Sequence, residues 1–234
     1  MAKENIKQYL KNYIPLVDFL AEVLGKNSEV VLNDVTDLDH SVVYIKNGDL
    51  TNRKIGDPAS NFVLKVMKKG LSDDKSYIAN YSGTAKGHPD LRSSTYFIKK
   101  DGQLVGMLCV NTNDKPIADL LRQIDKFRAA VQLPGSEDTD QKQPANKHKP
   151  IDENFNNSVT EIAKTAVAQK EREIGVSAEY FQQEQKMDVV ADLNDDGYFL
   201  LKDSIKVIAR GLHVSIPTVY RYLNQVKSRQ KDEE

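Results

Sequence analysis

The residues whose types and spacing invite a chemical reading stand near the C-terminus, in LLKDSIKVIARGLHVSIPTVYRYL, residues 200–223. Ile205, Ile208, Ala209 and Leu212 recur at helical spacing, so a helix over 202–212 lays them on a core and leaves Lys206 and Arg210 in water. After a break at His213-Val214, Ser215 has the type and place of an N-cap. Pro217 then fits a first turn, where no intrahelical N–H bond is lost. In this second helix Val219, Tyr222, Leu223 and Val226 fall inward, while Thr218, Tyr220, Arg221, Asn224 and Gln225 fall outward. The pattern is that of a helix-turn-helix over residues 202–226.

Hydroxyls and amides on such an outer face reach phosphates and base edges, and a guanidinium offers two parallel donors to guanine. Ser215, Thr218, Tyr220, Arg221 and Asn224, with Lys206 and Arg210 beside them, are therefore the expected contacts to double-stranded DNA. Charge points the same way. From Lys202 to Arg229 the basic residues Lys202, Lys206, Arg210, Arg221, Lys227 and Arg229 stand against the lone acid Asp203, although the chain of 234 residues carries a formal charge of only −1. That balance argues against coating nucleic acid by charge alone and for a small basic module.

Other constellations carry less. Asp34, His40 and Ser41 have the residue types of a hydrolase triad, without a nucleophile elbow or a glycine-rich oxyanion segment. Cys109, the one cysteine, lies in the apolar run MLCV, where a thiol behaves as a small core hydrophobe, and GTAKG lacks P-loop spacing. Asp192, Asn194, Asp196 and Gly197 match the opening of a calcium loop, with Asp203 at the closing position. The loop is unpaired, however, and closes on the shorter acid, which also suits a helix start. No catalysis, cofactor or metal is expected.

Earlier in the chain the informative residues are polar ones inside apolar runs: Asn33 and Asp34, Arg92 to Thr95, and Asn111. Buried polar groups need partners, supplied either by each other and the backbone or by a bound small molecule, whose carboxylate an arginine would suit. Asn33, Asp34, Arg53, Arg92, Ser93, Ser94 and Asn111 are the expected ligand contacts.

Positioning them requires a sheet. A helix over 6–24, kinked or split at Pro15, precedes strands at 29–35 and 41–46 closed by Asn47-Gly48. A helix from Pro58 to Met67, a strand at 77–81 and a loop at 82–90 follow. Strands at 94–100 and 103–111 meet at Asp101-Gly102, and a helix over 117–131 closes an α+β unit with helices on one side of an antiparallel sheet. LPGSEDTDQKQPANKHKP is polar and aperiodic, so a flexible linker is expected over 133–150, between a domain at 1–132 and a helical one at 151–234. In the latter, Ser158 and Glu161 have capping-box spacing before a helix that Gly175 ends, and another helix spans 178–193. A composition of 39% hydrophobic and 29% charged residues is that of globular domains, and the N-terminus lacks a signal pattern, so a cytoplasmic protein is expected.

From Gly197 to Leu223 the chain resembles the C-terminal helix-turn-helix of YheO-like and DauR-like bacterial transcription regulators. Likewise EVVLNDVTDLDHSVVYIKNGDLTNRKIGDP and LRSSTYFIKKDGQLVGMLCVN resemble the YheO-like PAS domain, over most of residues 4–131. The resemblance implies a PAS-like sensor of an unknown small-molecule effector, acting on operator binding in a homodimer. The alternatives are a helical hairpin that binds protein and a small-molecule-binding enzyme.

Overall fold

The computed structural model describes residues 3–85, 88–131, 152–155 and 158–232, so the expected linker over 133–150 lies outside the described residues. The first helical segment is split: α1 spans Lys3–Lys11 and α2 spans Ile14–Leu24, with Pro15 in the first turn of α2, where its missing N–H costs nothing. Next come β1 (Ser28–Asp34), β2 (Val42–Lys46) and α3 (Asn61–Lys69). α3 starts later than expected because Ser60, not Pro58, caps it, its Oγ accepting from the Val63 amide at 3.4 Å.

β3 (Tyr77–Ala85), β4 (His88–Lys100) and β5 (Gln103–Asn113) lead into α4 (Lys115–Ala130), and β6 (Asp152–Asn154) adds a last edge. The sheet order is β2-β1-β5-β4-β3-β6, antiparallel throughout except for the parallel β3–β6 pair. Asp101 and Gly102 have φ of 52° and 77°, the geometry the β4–β5 hairpin needs. Residues 82–85 and 88–90, expected as loop, are strand instead. Gly83 marks no turn. A Cβ there would lie 2.5 Å from Ser93 Oγ and 3.0 Å from the Phe155 ring, so glycine is required by close packing.

Helices cover both faces of the sheet, not one. All seven residues of β1 are buried, and alternation sends Val30 and Leu32 to Ile6, Leu10, Val17 and Ala21 of α1 and α2, but Val31 to the side of Phe62, Val63 and Val66 of α3. A strand buried on both faces needs two covers.

The C-terminal part is α5 (Val159–Ile174), α6 (Gln183–Asp195), α7 (Ser204–Gly211) and α8 (Ile216–Asp232), with short 3-10 turns at Ala178–Tyr180 and Tyr198–Leu200. Ser158 caps α5 through the Glu161 amide at 3.1 Å, and Gly175, φ 80°, ends it. The helix expected over 178–193 is interrupted, because Gln182 starts α6 afresh, its amide donating to Gln185 Oε1 at 2.7 Å. The face of the sheet under α3 and the helices α5–α8 share one apolar core. At their joint Gly197, φ 77°, leaves no room for a Cβ against the Leu64 carbonyl; Lys65 pairs with Asp196 at 2.9 Å, and the Lys202 amide donates to Asp39 Oδ1 at 2.9 Å. Among the described residues no helix is long and apolar enough to cross a membrane.

Candidate nucleic-acid interface and the polar interior of the sheet

α7 and α8 are built as the spacing suggests. Ile208, Ala209 and Leu212 are buried beneath Val219, Tyr222, Leu223 and Val226, while Lys206 and Arg210 stay exposed. Between the helices His213 takes φ 53°, and the Val214 amide bonds back to the Ala209 carbonyl at 2.9 Å, so the first helix ends with satisfied carbonyls. Ser215 Oγ accepts from the Thr218 amide at 3.3 Å and meets Thr218 Oγ1 at 2.8 Å. Those two hydroxyls form the cap of α8 as well as lying at its entry.

Tyr220, Arg221 and Asn224 are exposed on one strip of α8 and line an open groove of about 880 Å³, whose far wall is Gln183 and Met187 of α6. The Arg221 guanidinium carbon sits 5.6 Å from the centre of the Tyr222 ring, which steadies the fork without consuming its donors. Gln183 and Met187 were missed by sequence reasoning. They lie more than thirty residues upstream, and no local pattern joins them to α8.

The second group of candidates divides. On the α3 side of the sheet, strand register sets Glu29, Asn111 and Ser93 in one row and Val31, Cys109 and Thr95 in the next. Glu29 is fully buried. Its Oε2 accepts from the Thr51 amide (3.2 Å) and hydroxyl (2.7 Å), and its Oε1 from Asn111 Nδ2 (2.9 Å). Burial pushes its carboxyl above the usual range, against the pull of Thr51, Asn111 and the nearby Arg53 guanidinium. Asn33 donates to Cys109 Sγ at 3.6 Å and accepts from Ser41 Oγ at 3.5 Å; Thr95 also donates to that sulfur, at 3.1 Å. Arg53 is buried and donates to the Pro58 carbonyl. Ser93 Oγ and Asn111 Oδ1 are buried without a hydrogen-bond partner, as is Asp34 Oδ2, whose sister oxygen accepts from the Thr36 amide and hydroxyl at 2.8 and 2.7 Å.

Arg92 and Ser94 do not join this interior. Flanking Ser93 on β4, they face the other side of the sheet by simple alternation. Arg92 is half exposed and holds Asp114 through two nitrogens, at 2.7 and 3.3 Å, and Asn80 at 3.2 Å; Ser94 Oγ accepts from the Asn80 amide at 3.1 Å. In their place the structure adds Glu29 and Thr51, and it places Thr95 in the interior beside Cys109. Glu29 carried no sequence signal, because an acid at a strand start reads as solvated.

The remaining constellations do not assemble. His40 turns to Asp37 at 3.5 Å, and Ser41 Oγ donates to the Asp34 backbone carbonyl at 2.9 Å, so Asp34, His40 and Ser41 form no relay. Residues 192–195 belong to α6 rather than to a loop, and Asp196 is engaged by Lys65. Among the described residues no group of three potential metal ligands converges.

The YheO-like PAS domain family matches residues 4–129, and the HTH domain family matches residues 162–224. An uncharacterized protein of Haemophilus influenzae is 28% identical over 224 residues, 95% of this chain and 93% of its own length. The uncharacterized protein YheO of Escherichia coli is 28% identical over 94% of this chain and 85% of its own. The transcriptional regulator DauR of Pseudomonas aeruginosa is 27% identical over 93% of this chain and 94% of its own. No solved structure matches. The first match spans more than half of the chain and coincides with the five-stranded antiparallel sheet and its helices, the second with α5–α8; the chain belongs to the YheO-like PAS domain family and ends in an HTH domain.

Proposed function

We propose that this protein is a cytoplasmic, homodimeric transcription regulator whose α8 reads duplex DNA and whose sheet interior receives a small-molecule effector. A PAS domain joined to an HTH domain, and the likeness over nearly the whole chain to the transcriptional regulator DauR, support a transcription regulator. One observation carries the DNA-reading part. Tyr220, Arg221 and Asn224 stand exposed on a helix whose opposite face is wholly engaged in the core, so they have no structural task to explain their types. In such motifs the start of the second helix enters the major groove, and a dimer presents two copies roughly 34 Å apart.

Sensing rests on the interior. Ser93 Oγ and Asn111 Oδ1 are cross-strand neighbours left without partners beside Glu29, a site that a ligand's polar groups would complete. An effector that prefers one arrangement of α3 and the segment over it would bias the joint at Gly197, Lys65–Asp196 and Asp39–Lys202, and with it the placing of α7 and α8.

The test is binding of the whole protein to a randomised pool of duplex DNA across salt concentrations. Recovery of a two-fold symmetric motif, with affinity falling linearly in log salt, is expected. Absence of salt-dependent duplex binding leaves the helical pair as a protein-docking module.

A further inference from the structure

α4 has an apolar stripe that nothing covers among the described residues. Ile117, Leu120, Leu121, Ile124, Phe127 and Val131 are each 45–66% exposed, none belongs to a buried cluster, and no element packs along α4 among the described residues. The spacing is informative. Ile117, Ile124 and Val131 recur every seven residues, with Leu120 and Phe127 falling between them, and the Val131 amide still bonds the Phe127 carbonyl at 3.1 Å. These are a and d positions of a heptad, with Leu121 at e beside them, a stripe that another helix of the same pattern can cover. The a positions are all β-branched and the first d is leucine, the distribution that favours two parallel strands.

We infer that α4 is the seam of a parallel two-stranded coiled coil between two copies of this chain. The area is adequate. At about 200 Å² for a fully exposed large apolar side chain the stripe presents roughly 700 Å² per copy, close to the ~800 Å² each partner gives to a standard interface. Its flanks fit as well, since in a parallel pair Gln123 at g falls opposite Arg128 at e, and no like charges meet.

The seam is also held at its root. Arg92 clamps Asp114 through two nitrogens, and the Asp114 carbonyl accepts the Ile117 and Ala118 amides, each at 3.1 Å. Arg92 thus ties the direction of α4 to strand β4, so a change in the sheet is passed to the angle at which two copies meet.

The inference deepens the homodimer of the function proposed above and rests on that reading for its biological use, but its test is independent of DNA. Sedimentation of the full chain at micromolar concentration gives a dimer, and Leu120→Glu with Phe127→Glu gives a monomer whose circular dichroism and melting are those of the rest of the fold. Ile117→Cys cross-links to its own copy on mild oxidation, without competition from Cys109, which is buried. A wild-type monomer, or a double variant that stays dimeric, overturns the seam. Cross-linking only when Ile117→Cys is mixed with Val131→Cys overturns its parallel sense. Loss of DNA binding with the dimer intact counts against α8 as a reader and leaves the seam standing.

Discussion

The protein has two kinds of interior. Between α5 and α8 the buried side chains are apolar, with Ile162, Val190, Leu193, Leu212, Val219 and Leu223 packed together and Asn194 and Ser204 as the polar exceptions. On the α3 side of the sheet the buried set includes Glu29, Asn33, Thr51, Ser93, Thr95 and Asn111, two of them with atoms that bond to nothing. Each unpartnered buried polar atom costs about 1–3 kcal/mol. The helical part keeps its candidate DNA contacts outside over a mostly apolar core, in which Asn194 Nδ2 also lacks a partner. The sheet keeps much of its polar chemistry inside, at a cost to its own stability.

The largest expected effect breaks the plain core. Leu212→Ala removes a fully buried side chain where α7 turns toward α8, and should destabilise the fold by about 2–5 kcal/mol in chemical denaturation. DNA affinity should fall with it, since α8 loses its seat. A loss under about 1 kcal/mol would mean that this core is loosely packed.

A smaller effect is read through pH. Burial raises the Glu29 carboxyl above its ordinary value of 4.5, so the folded chain holds that proton more tightly than the unfolded chain does. The contribution of Glu29 to stability is therefore fullest when it is protonated and declines as pH rises from 4.5 through the folded value. Melting curves of wild type and Glu29→Gln over that range should diverge in favour of the variant as pH rises. A constant gap would show that Thr51, Asn111 and Arg53 already cancel the burial.

The smallest effect concerns Ser93. Removing a hydroxyl that has no partner should leave stability unchanged or raise it by up to about 1 kcal/mol in Ser93→Ala, the opposite sign to Leu212→Ala. A clear loss would place a partner on that oxygen in the free protein.

The two interiors were unequally legible in the sequence. α7 and α8 are local: their faces follow from a 3.6-residue period, Ser215 caps as its type suggests, and His213 takes the positive φ that the turn asks for. The Asp101-Gly102 hairpin is local too. Glu29 is not, because its partners Thr51 and Asn111 lie 22 and 82 residues away and only strand register brings them together. Arg92 was misplaced for a related reason. With period 2, a side chain's face depends on register, and β4 begins at His88, earlier than its apolar run suggests. The helix over 117–131 was readable as a helix, whereas its lack of a cover among the described residues depends on where the sheet leaves it.

If the exposed strip of α8 reads DNA, as proposed, while its buried strip only supports the helix, Arg221→Ala separates the two roles. Arg221 is exposed, so melting should stay at the wild-type value while affinity for a selected duplex falls by about 1–3 kcal/mol, with preference relaxed at one position in each half-site if it reads a base. A phosphate contact would instead weaken all sequences alike and make the salt dependence shallower by about one unit of slope. Wild-type affinity at every salt concentration, measured by fluorescence anisotropy on the same duplex, would contradict a DNA-reading role for α8.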